Sequence, residues 1–149
     1  MNEMLTDIEK QILAKVFEGD FSPFHVLAKQ IGGIQVKKRR KKYHTYDVEF
    51  NVSKKAVTQL TGHEENIVIR GTRVYICESD VTLYVRVEVI DGFISYLLIG
   101  GKYQFENGFT IKEMVWENRN DDPRKEGTII RNASERDYKK AISYIPMYK

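Results

Sequence analysis

Apolar residues recur at helical spacing at the start of the chain. Ile8, Ile12, Leu13, Val16 and Phe17 share one face of a 3.6-residue repeat, and Phe24, Leu27, Ala28 and Ile31 form a second stripe. Each stripe has its own start and stop signals. Thr6-Asp7-Ile8-Glu9 has capping-box spacing, in which the threonine hydroxyl accepts from a backbone N–H and the glutamate reaches back, and Gly19 follows the stripe. Ser22-Pro23 opens the second stripe and Gly32-Gly33 closes it. The pattern predicts a helical hairpin with one apolar side, which needs a sheet to lie on.

From residue 44 the period changes to two. His44, Tyr46, Val48, Phe50 and Val52 alternate with Thr45, Asp47, Glu49 and Asn51, as in a half-buried strand. NIVIR (66–70) and RVYIC (73–77) are either two strands or one strand bulged at Gly71. VTLYVRVEVIDGFISYLLIGG (81–101) reads as a hairpin, because Asp91-Gly92 suits the positive φ values of a type I′ turn. An unbroken register sets Ile90 opposite Phe93, Val89 opposite Ile94 and Val87 opposite Tyr96. One face then collects Val85, Val87, Val89, Ile94, Tyr96 and Leu98 as core. The other mixes charge with large apolar groups, which is unusual for a plain solvent face. Either the C-terminal segment covers it or a partner does. Tyr84, Arg86, Glu88 and Leu97 on that face are the candidate partner-binding residues, since aromatic and arginine side chains dominate binding hot spots.

FTIKEMVW (109–116), beyond the punctuation of Gly100-Gly101, predicts another strand, and residues 117–127 a solvated polar loop. A closing helix is expected near 134–145, with Ser134 as cap and Tyr138, Ala141, Ile142 and Ile145 on one face. Helices first and consecutive strands afterwards define an α+β class. The expected architecture is an N-terminal helical hairpin packed on a mostly antiparallel sheet of about five to six strands, with a C-terminal helix.

Composition narrows the class further. A chain of 149 residues fits a single domain, 1–149, and 42% hydrophobic with 30% charged residues is the balance of a globular chain with one core. Apolar runs are broken by Arg86, Glu88 and Asp91, so no membrane span is expected, and the acidic start MNEMLTDIEK lacks the form of a secretory signal. The single cysteine, Cys77, fits a reducing, cytoplasmic location, and its strand position suggests a small buried hydrophobe.

Candidate chemistry is sparse. His25, His44 and His63 fall on separate elements, none at metal-ligand spacing with Cys77, and phosphate-loop, dinucleotide and nucleophile-elbow motifs do not occur. No cofactor, metal or enzymatic activity is expected. What stands out is the basic run Lys37, Lys38, Arg39, Arg40, Lys41 and Lys42 before the first strand, with Tyr43, His44 and Tyr46 beside it. Such a run can grip phosphates while the aromatic rings stack on bases. It can equally guard a sheet edge against pairing with other chains. Alternation along a strand divides six basic side chains between two faces, so the run is expected to protrude as an exposed arm, with edge protection preferred and nucleic-acid binding as the alternative.

Leu5, Glu9 and Leu13 in the first stripe, Asp20, Leu27, the strand from Tyr46 to Val52, and Asp91-Gly92-Phe93-Ile94 with Leu97 together carry a resemblance. Over about residues 4–100 the chain resembles small standalone bacterial α+β proteins, some of them encoded beside toxins and acting as immunity proteins. That resemblance implies a non-catalytic protein with a protein partner. Such inhibitors are often acidic because many of their toxins are basic nucleases. The net charge here is +3, which implies a differently charged target or no toxin at all.

Overall fold

The computed structural model describes residues 3–52 and 57–146. Among these the chain is α+β, with eight strands in one open antiparallel sheet and three short helices. Helix α1 (Asp7–Val16) starts with the expected capping box, both reciprocal bonds being present between Thr6 and Glu9. Helix α2 (Ser22–Gln30) has a proline in its first turn. The two helices bury Ile12, Leu13, Val16, Phe24 and Leu27 against a single face of the sheet. Burying each of these side chains stabilises the fold by roughly 1.5–3 kcal/mol.

The strands are β1 (Ile34–Lys41), β2 (Tyr43–Val52), β3 (Ile67–Ile76), β4 (Thr82–Ile90), β5 (Phe93–Gln104), β6 (Ile111–Asn118), β7 (Thr128–Ile130) and β8 (Ile142–Tyr144). Their spatial order is β1-β2-β5-β4-β3-β6-β7. Along its far side β3 is shared, Ile67–Ile69 pairing with β8 and Thr72–Ile76 with β6. It is one strand bulged at Gly71, whose φ of +99° a side chain would strain.

The turn between β4 and β5 is as the sequence predicts, with φ of 53° at Asp91 and 79° at Gly92. Gln30 at the end of α2 clamps it. The Gln30 amide donates to the carbonyls of Gly92 and Thr58 at 2.8 and 2.7 Å and accepts from the Ile94 N–H at 3.0 Å. The register beyond the turn departs from the unbroken one. Val89 faces Ile94 but Glu88 faces Tyr96, so Ser95 is an extra residue, and its hydroxyl donates to the Phe93 carbonyl at 3.0 Å. One inserted residue reverses every later side chain of β5. Leu97 and Ile99 therefore lie in the core with Val85, Val87 and Val89, while Tyr96 and Leu98, expected inside, lie on the opposite face. Strand β5 also runs through Gly100-Gly101, which the sequence reading treats as its end.

The closing helix is replaced by other structure. Ala133–Glu135 is a 3-10 turn under Asn132, helix α3 (Tyr138–Ala141) is one turn capped by Asp137, and β8 follows at once. Ile142 to Ile145 are mostly β-branched or aromatic, and the free edge of β3 offers them a ladder that a lone helix cannot match. Cys77 lies just past β3 and is exposed, not buried.

Candidate partner-binding surface

With α1 and α2 on one side, three cross-strand rows run across the middle of the sheet's other side. Directly opposed residues share a face, so register defines each row. The first runs Lys38, Glu49, Tyr96, Glu88, Val68. The second runs Arg40, Asp47, Leu98, Arg86, and the third Thr45, Gly100, Tyr84, Arg73, Val115. Tyr84 is 54% exposed and Tyr96 is 37% exposed.

Of the four residues expected on this face, three are there. Tyr84 is exposed, and Arg86 and Glu88 are half-buried and lie 3.5 Å apart as an ion pair. Leu97 is fully buried on the helix side, because the Ser95 bulge turns it inward. Tyr96 and Leu98 take its place. Among the described residues, the C-terminal strand β8 pairs edge-on with β3.

Glu49, Glu88 and Glu117 on this face are each engaged by a cation. Glu49 pairs with Lys37 at 3.5 Å, and Glu117 pairs with Arg73. The Arg73 guanidinium also sits 5.2 Å over the Tyr84 ring. The Glu49 carboxylate, 3.3 Å from the Tyr96 hydroxyl, raises that phenol above its ordinary value. Acids tied up in this way hold charge in place. Among the described residues no group of three or more His, Cys, Asp or Glu could hold a metal ion.

A pocket of about 350 Å3 opens between the second and third rows. Its existence follows from two glycines. Gly100 puts no side chain beside Tyr84, and the Gly71 bulge leaves a gap in the β3 ladder across from Arg86. Arg70, Arg73, Arg86 and Arg119 surround the pocket, with Glu117 as its single carboxylate and Leu98 in its lining. Of these arginines the sequence reading names Arg86 and misses the other three, since Arg70 and Arg73 stand in β3 and Arg119 follows β6, far apart in sequence. The isolated Ser95 in an apolar strand is the one trace of the shifted register.

The basic run does not protrude. Lys37 to Lys41 belong to the edge strand β1, paired with β2 on either side of a register shift at Lys37, and the chain turns at Lys42. Lys37, Lys38, Arg40, Lys41 and Lys42 are exposed. Opposite charges meet some of them across the ladder, Lys38 facing Glu49 and Arg40 facing Asp47. Arg39 departs from the expected exposure. Its side chain is 15% exposed and donates to both oxygens of the fully buried Glu9 at 2.7 Å, with the Tyr46 hydroxyl donating to the same carboxylate at 2.6 Å. A further bond reaches Glu3 at 2.6 Å. Burial works to raise the Glu9 carboxyl, but the bonds from Arg39, Tyr46 and Thr6 outweigh it and hold the group below its ordinary value. The bond to Glu9 raises Arg39, and burial raises Tyr46.

No protein-family model, curated protein or solved structure matches this chain. No helix among the described residues is long and apolar enough to cross a membrane.

Proposed function

We propose that this chain is a non-catalytic binding protein that engages a protein partner, of the immunity type it resembles, through the sheet face turned away from α1 and α2. One observation carries the reading. Tyr84, Tyr96 and Arg86 stand together, at least partly exposed, on the middle strands of a sheet whose other side is filled by the core. Large side chains held on a rigid scaffold lose little entropy on binding and form the centre of most interfaces.

The alternative, a phosphate grip along β1, has less to work with. Arg39 is withdrawn into the Glu9 pair, and Lys38 and Arg40 face acidic residues on β2. A phosphate backbone would have to compete with those carboxylates.

Co-expression with the product of the adjoining reading frame tests the proposal. The two chains should co-elute, and Tyr84→Ala with Tyr96→Ala should abolish co-elution while leaving the melting temperature in place. Retention on heparin that disappears in Lys38→Ser with Arg40→Ser, together with no co-elution, would favour the alternative.

A further inference from the structure

The arginine-lined pocket gives the partner a chemistry. Resting on the reading that this face binds a protein, we propose that the pocket receives an acidic side chain of the partner, with an apolar neighbour of that side chain lying on Leu98.

Four guanidinium groups against Glu117 in the lining and Glu88 beside Arg86 leave an excess of positive charge in a concave, partly apolar space. Charge complementarity therefore selects a carboxylate. Among the described residues, two of the four have neutral acceptors alone: Arg70 donates to the Ser143 hydroxyl at 3.5 Å and Arg119 to the Lys140 carbonyl at 2.9 Å. At Arg86 the Nε atom is buried and has no hydrogen-bond partner among the described residues, while its Nη2 lies 3.5 Å from Glu88. A guanidinium presents Nε and a terminal nitrogen as a fork that matches the two oxygens of a carboxylate, and a buried donor gains most from being satisfied. Arg73 is held by Glu117 and by the Tyr84 ring, so it lines the pocket in a fixed position. The apolar part of the lining, with Leu98 and the open space at Gly100, suits a protein side chain and its neighbour better than a bare inorganic ion.

Gly100 supplies a means to close the pocket without touching a charge. A Cβ added there meets nothing nearer than the His44 carbonyl oxygen at 3.9 Å, so Gly100→Val should fold and fill the space. The test follows the arginine Nε–Hε resonances by NMR during titration with a capped hexapeptide of alternating aspartate and leucine. Inorganic phosphate and a single-stranded oligonucleotide, at matched ionic strength, are the comparison titrants. The Arg86 and Arg73 signals should shift saturably with the peptide, and both Gly100→Val and Arg86→Gln should weaken that binding by about tenfold. The assignment is overturned by any of three results: no saturable shift of those signals with the peptide, peptide affinity in either variant unchanged from the parent, or saturation at lower concentration by phosphate or oligonucleotide. These failures are separable from failure of the parent reading. Partner binding lost in Tyr84→Ala but kept in Gly100→Val would leave the face as the interface and remove the acidic anchor.

Discussion

Arg39 on the edge strand and Glu9 on the first helix form a two-point ion pair, with both nitrogen–oxygen distances at 2.7 Å and the carboxylate fully buried. Glu9 thus closes the capping box of α1 and also ties β1, through Arg39, to the helix layer.

The six basic residues should therefore differ sharply in their effect on stability. Arg39→Ser would strand a buried carboxylate and should cost about 3 kcal/mol, read as a shift in the urea midpoint. Lys38→Ser and Arg40→Ser, both exposed, should leave the midpoint in place. Equal effects at the three positions would contradict the burial of the Glu9 pair.

Glu9 also sets a pH dependence. Its folded carboxyl lies below the ordinary 4.5, so the unfolded chain binds the proton more readily. The stabilisation is fully present above about pH 4.5 and is lost as pH falls below it. Glu9→Gln should be less stable than the parent at pH 7, and the gap should narrow towards pH 3. A gap that widens on acidification would reverse the sign.

Much of this architecture is legible in the chain because it is local. Thr6 and Glu9 are three residues apart, Asp91-Gly92 is its own turn, and both behave as expected. The Ser95 bulge is not legible, because it accompanies a bond from Ile94 to Gln30, 64 residues away. From that one residue follow the errors at Tyr96, Leu97 and Leu98. The expected closing helix fails for a related reason, since helical spacing around Tyr138 and Ala141 says nothing of an open edge on β3. Arg39 was indistinguishable from its basic neighbours, as its partner is 30 positions upstream. Arg70, Arg73 and Arg119 around the pocket were invisible in the same way.

The shifted register has a direct test in adjacent residues. Leu97→Asp should abolish cooperative unfolding, because it would bury an unpaired charge. Leu98→Asp should remain folded by circular dichroism, its position facing away from the helices. The opposite outcome would restore the unbroken hairpin.

Arg136 joins the C-terminal segment to α1. It is buried, donates to the Val16 and Glu18 carbonyls at 2.7 and 2.9 Å, and lies 5.0 Å from both the Phe24 and Trp116 rings. Burial lowers its pKa to about 10, while the carbonyls at the helix end favour a cation. Arg136→Ala should cost about 2 kcal/mol by denaturant titration, because those carbonyls lose their donor. An unchanged midpoint would show that the contact carries no stability.

The most direct test of the binding face uses the tyrosines as reporters. Tyr43 beside the basic run, Tyr84 and Tyr96 on the sheet face, and Tyr144 on β8 are 61%, 54%, 37% and 58% exposed. Hydroxyl-radical footprinting with and without the product of the adjoining reading frame compares all four in one sample. Protection of Tyr84 and Tyr96, with Tyr43 and Tyr144 unchanged, is the predicted result. Protection of Tyr43 alone, with Tyr84 and Tyr96 still fully reactive, would contradict it.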